Sequence, residues 1–131
     1  MDLLIAFSTN DGKTMINEHA GQAKYFDVYR FSKKESVFVE RRDNSKLKGD
    51  KTLKHGDPKK AQATLESLQD IHVLVSRKFG PNLPRLLKKL LCVLVKAGTI
   101  SEAVEILKKH VETVSKEYEK GEQRKHLILK A

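Results

Sequence analysis

Two apolar runs constrain this chain more than any other feature. They are IHVLV at residues 71–75 and LCVLV at 91–95, separated by SRKFGPNLPRLLKKL. Each run is short and dominated by branched aliphatic residues, so both read as buried strands. Between them Gly80 and Pro81 break the chain and Asn82 is placed to cap a helix. Leu83, Leu86, Leu87 and Leu90 then line a short helix. A strand, a helix and a second strand imply parallel pairing through a right-handed crossover.

The rest of the chain fits around that unit. DLLIAFS (Asp2 to Ser8) is an apolar run closed by the turn signal TNDGK and reads as a first strand. YFDVYRFS alternates, with Phe26 and Val28 on one face and Tyr25, Asp27, Tyr29 and Phe31 on the other. KKE is a tight turn into SVFVERR, so strands two and three form an antiparallel hairpin. Residues 43–57 are polar, Lys-rich and aperiodic, and read as a loop. Asp57 is an N-cap candidate before Pro58, and Ala61, Leu65 and Leu68 form the stripe of a first helix. Thr99 and Glu102 form a T-x-x-E capping box. Behind it Ile100, Val104, Leu107, Val111, Val114 and Tyr118 predict one long final helix ending at Gly121.

The predicted order is β-β-β-α-β-α-β-α, a single α/β domain with a mixed five-stranded sheet. Its body spans 1–120, and a tail, 121–131, is left as disordered, an added edge strand or a docking segment. If strand one pairs antiparallel with strand two, then strands one, three, four and five point the same way. Their following loops then share the carboxyl edge, where open α/β sheets bind ligands.

With 131 residues the chain can close one core. Its 39% apolar fraction is modest, but the grouping of those residues into runs argues against disorder. Leu86 to Val95 is interrupted by Lys88 and Lys89 and cannot span a bilayer. The first residues lack the regions of a signal peptide, so a soluble cytoplasmic protein is expected, with no membrane partner. Cys92 is the one cysteine, which excludes an internal disulfide and suits a buried apolar position. The net charge of +9 attracts polyanions or, alternatively, marks a Lys/Glu-rich surface.

At the shared edge, FGPN offers backbone N–H groups for an anion, with Gly80 permitting close approach and Arg77 and Lys78 adding charge. Lys96, Gly98 and Thr99 offer the same from the next loop. The alternative is that both glycines serve turns and the charges are solvated. His19 and His55 come from the two long loops of this edge and are metal-ligand candidates. Without cysteine or clustered carboxylates they would make an open, exchangeable site. His72, His110 and His126 read as structural or surface residues. Two-metal hydrolysis is disfavoured, because LLIAFS carries no carboxylate. No nucleophile–base signature appears either. Nucleic-acid binding by Arg41, Arg42, Arg77, Lys78 and the Lys-rich loop is the rival, although no helix-turn-helix, zinc-finger or RNP-like motif is present. A third reading is a protein-interaction module using the final helix or the HLIL segment.

Three ordered segments, HAGQAKYFDVY (His19 to Tyr29), FGPN (Phe79 to Asn82) and GTISEAVE (Gly98 to Glu105), resemble the dinitrogenase iron–molybdenum cofactor biosynthesis family. With the opening strand LLIAFSTNDGKTM, the likeness covers about residues 2 to 120. It implies a ribonuclease-H-like three-layer fold. For the nitrogenase accessory members it also implies binding or carriage of an iron–sulfur or iron–molybdenum cluster, or its precursor, without catalysis. A cluster donor or acceptor protein is then the implied partner. The resemblance singles out His19 as a ligand and, more loosely, the HG pair at His55. Ala20 stands where the family usually has an aromatic residue, and Arg77 and Lys78 stand in a segment that is usually glycine-rich. The expected function is therefore non-enzymatic cluster carriage at the carboxyl edge; the alternative is a basic module for nucleic acid or a protein.

Overall fold

The computed structural model describes residues 2–44 and 58–131. β1 (Leu3–Thr9), β2 (Tyr25–Phe31) and β3 (Ser36–Asp43) form an antiparallel meander. α1 (Pro58–Ser67) leads into β4 (Val73–Ser76), and α2 (Leu83–Leu87) into β5 (Leu91–Val95). α3 (Ile100–Lys109) and α4 (Val111–Tyr118) precede β6 (Leu127–Leu129). The sheet order is β3-β2-β1-β4-β5-β6, and among the described strands β2 alone runs against the others. The α/β class and the mixed sheet are as expected, and so is the common direction of β1, β3, β4 and β5.

Alternation along the central strands divides the core into two faces. Leu3, Ile5 and Phe7 of β1, Val73 and Val75 of β4, and Leu91, Val93 and Val95 of β5 face one cluster. Ala6, Leu74 and Cys92 face the other. α3 and α4 cover the first face with Ile100, Ala103, Val104, Leu107 and Val114. Leu68 and Leu86, with Leu65 and Leu83 packed beside them, cover the second. A sheet buried on both sides explains why β4 and β5 read as continuous apolar runs. Cys92 is fully buried, and desolvation pushes its thiol far above the ordinary range, so it is inert core.

Two expectations need correction. Among the described residues the sheet has six strands, not five, because part of the tail forms β6 parallel to β5. Side chains bring it there. Arg124 lies over the Tyr118 ring at 4.6 Å and donates to the carbonyls of Tyr118 (2.7 Å) and Leu87 (3.1 Å). Glu117 accepts the Lys125 N–H at 3.0 Å. The β4-to-β5 connection crosses the α1/α2 face and the β5-to-β6 connection crosses the α3/α4 face, while both step outward in the same direction. The two crossovers therefore have opposite hands, and the right-handed rule does not extend to both.

The second correction is the final helix, which is two helices. His110, at φ −125° and ψ 20°, leaves the helical region and interrupts it. The break keeps the apolar stripe on the sheet: Val114 stays buried, and Tyr118 reaches His72 edge-on at 5.1 Å. The expected Asp57 cap and nearly all of the Lys-rich loop lie outside the described residues.

Candidate functional site at the carboxyl edge

β1 pairs with β2 on one side and with β4 on the other, so the chain reverses its course across the sheet at β1 and β4. Such a switch point is where open α/β sheets form a crevice. The loop after β1 and the segment after β4 meet there. His19 and Lys78 form a parallel bridge, and the Ala20 N–H donates to the Lys78 carbonyl at 3.0 Å.

The β1 loop reaches this place by a built path. Thr9 is buried; its hydroxyl accepts the Gly12 N–H at 3.0 Å and donates to the Thr14 carbonyl at 2.7 Å. Asp11 accepts the N–H groups of Lys13 (2.9 Å) and Thr14 (2.8 Å). Those N–H groups hold its carboxyl down at about 2. The loop then zips onto α3: Met15 N–H donates to the Gly98 carbonyl (3.0 Å) and Ile100 N–H to the Lys13 carbonyl (2.9 Å). Met15 enters one core cluster and Ile16 the other, so the loop crosses over the sheet edge between these two residues.

Beyond the crossing, His19 precedes a 3-10 turn, Ala20–Gln22, with the Gln22 N–H closing onto its carbonyl at 2.8 Å. Its imidazole is exposed and leans on Gly80. A Cβ at position 80 would lie 2.5 Å from Nδ1 and 3.0 Å from Cγ and Cε1. Gly80 is thus required by the ring's position, and the ring turns Nε2 away from it. Ala20 is 2% exposed and packs in the second cluster, where it is a small core contact.

The other predicted residues fall around this contact. Lys78 is exposed, Arg77 and Asn82 are half-buried, and Lys96 and Gly98 are exposed one loop further along. Asn82 does not cap by its side chain: it adopts αR geometry, and its Oδ1 accepts from Arg85 at 3.2 Å. Its carbonyl accepts the Arg85 and Leu86 N–H groups instead. Thr99 makes the predicted cap, accepting the Glu102 N–H at 3.1 Å and donating to the Glu102 carboxylate at 3.1 Å. Its hydroxyl is therefore engaged within the protein. The structure brings together His19, Lys78 and Gly80. Gly98 and Thr99 join them only through the shared β1 loop, and His55 lies outside the described residues. Among the described residues no three His, Cys, Asp or Glu side chains converge as a metal site.

Sequence reasoning missed the Asp27–Arg41 pair. Asp27 is 2% exposed and binds Arg41 through two bonds, 2.8 and 3.3 Å. The Arg41 guanidinium also presses on Gly12, whose φ of +79° and lack of Cβ both permit that contact. β3 thereby braces the loop that carries His19. The available signal was Asp27 itself, a carboxylate on the same alternating face as Tyr29 and Phe31.

A family model described as dinitrogenase iron-molybdenum cofactor matches residues 1–121 of this chain. The chain belongs to that family. The match ends where β6 has yet to begin, so the sixth strand lies outside the part shared with the dinitrogenase iron-molybdenum cofactor family. No curated protein matches the chain. Among the described residues, no helix is long and apolar enough to cross a membrane.

Proposed function

We propose that the chain binds and carries an anionic iron–sulfur or iron–molybdenum cluster, or its precursor, as cargo at the switch point, without catalysing a reaction on it. The observation that carries this reading is the His19–Gly80 contact, which presents an exposed imidazole at the meeting of two braced loops. Nε2 is the ligating atom, since Nδ1 faces Gly80. Lys78, with Arg77 and Lys96 on the same edge, supplies positive charge for the anion. A single imidazole leaves the remaining metal positions to the cargo's own sulfides or to a partner's ligands, which suits transfer between a donor and an acceptor protein. The strand order and the lone antiparallel β2 support a ribonuclease-H-like frame for this site.

Anaerobic titration with a synthetic iron–sulfur cluster, read by absorbance and metal content, tests the proposal. The wild-type chain is expected to retain cluster through desalting, and His19→Ala to lose most of it. Equal retention by both removes His19 from the site. Binding to generic DNA or RNA that weakens steeply with salt, with no cluster retention, replaces the proposal by phosphate recognition.

A further inference from the structure

Four large apolar side chains are prominently exposed among the described residues, and three are consecutive: Val37, Phe38 and Val39, at 38, 51 and 43%. All three belong to β3, an eight-residue strand at the end of the sheet, with no strand paired to its outer side among the described residues. An exposed apolar edge strand is a template for another extended strand. Its open backbone N–H and C=O groups specify the geometry of the partner. The side chains specify which strand it is.

We infer that the partner is β3 of a second copy, paired antiparallel about a two-fold axis normal to the sheet. Such an axis keeps every residue on its own face, so only residues of like face can stand opposite each other. Against β2, Val28 faces Glu40 and Tyr29 faces Phe38, which makes Val39 an extra, bulged residue. Phe38 therefore shares the α3/α4 face with Tyr29, which it meets edge-on at 5.4 Å. Arg41 shares that face through Asp27, whereas Arg42 reaches the Ser67 and Gln69 carbonyls at the end of α1 on the opposite face.

With Phe38 on the axis, the bulge lets Ser36 stand opposite Arg41 and Val37 opposite Glu40 on matching faces. The same register brings Glu35, the last residue of the turn before β3, beside Arg42 of the second copy, twice across the dimer, where it adds to the Glu40 that Arg42 already meets at 3.1 Å. The two neighbouring registers fail on charge. Centring on Val37 sets Glu35 against Glu40. Centring on Glu40 sets two carboxylates face to face. Of the three, only the Phe38-centred pairing sets Phe38 against its own copy and Glu35 against the opposite charge of Arg42.

Sedimentation velocity of the full chain over a concentration series tests this inference, with circular dichroism confirming the fold of each variant. The wild type is expected to show a reversible monomer–dimer equilibrium. Phe38→Lys, and separately Val39→Lys, should leave only monomer. Glu35→Lys should weaken the dimer about tenfold, and adding Arg42→Glu should restore it. A wild type that stays monomeric up to about 1 mM, a dimer indifferent to both Phe38→Lys and Val39→Lys, or a double variant no tighter than Glu35→Lys would each overturn it.

Discussion

Replacing Gly80 by alanine separates the geometry of the candidate site from the stability of the fold. Gly80 lies outside the left-handed region, which among the described glycines is occupied by Gly12 and Gly121, so alanine fits its backbone. The added methyl would sit 2.5 Å from His19 Nδ1, well inside the 3.4 Å at which ordinary contact begins. The obstacle is an exposed side chain, not backbone, so the ring retreats and the loops hold. Displacing it costs about 0.5–1.5 kcal/mol if it leaves its rotamer well. The loss of unfolded-chain freedom on Gly→Ala returns about 0.4–1 kcal/mol. Net stability should therefore change by less than about 1 kcal/mol, measured by urea denaturation. Cluster affinity should fall roughly 10- to 100-fold, as when a residue that orients a metal ligand is lost. Unchanged affinity in the anaerobic titration would refute the role assigned to the ring's position. A loss of more than about 2 kcal/mol would show that Gly80 is a packing residue.

Other outcomes follow from contacts away from the crevice. His72 Nδ1 accepts the Leu4 N–H at 2.8 Å, and burial lowers its pKa below 6.5 although Asp70 opposes the shift. Its contribution to stability should be complete above about pH 6.5, decline as pH falls toward the lower folded value, and level off below it. His72→Phe should flatten that part of the pH–stability profile and cost about 1–3 kcal/mol by leaving the Leu4 N–H unpaired. Thr99→Ala should lower stability by about 1 kcal/mol in chemical denaturation, with Thr99→Ser recovering most of it. Arg124→Ala should release β6, seen as faster amide exchange at Leu127–Leu129 with β1 and β4 unchanged.

Much of the frame was legible because it rests on local signals. The alternation in YFDVYRFS, the apolar runs of β4 and β5 and the Thr99–Glu102 box each act over a few residues, and each appears as read. The shared carboxyl edge followed from strand direction, which the hairpin and the crossover imply. The length of the last helix was misread because Ile100 to Tyr118 keeps one period. The interruption at His110 serves contacts with the sheet that the period does not reveal. Asn82 was misread because a capping residue type does not fix a capping conformation.

The sequence by itself therefore determined most of the elements, their faces and the direction of β1 to β5, but not β6 or the break at His110, since periodicity, turn chemistry and connectivity carry the first and not the second. Tertiary structure alone decided what lies beside what. That Gly80 yields space to His19, that Arg41 of β3 braces Gly12, and that Arg124 draws the tail into a sixth strand are contacts between residues 37 to 61 positions apart, or 29 in the case of Gly12 and Arg41. Distance along the chain carries no signal for such contacts. They exist only once burial of both sheet faces has set the loops at one edge, and it is there that His19 meets Gly80 and Lys78.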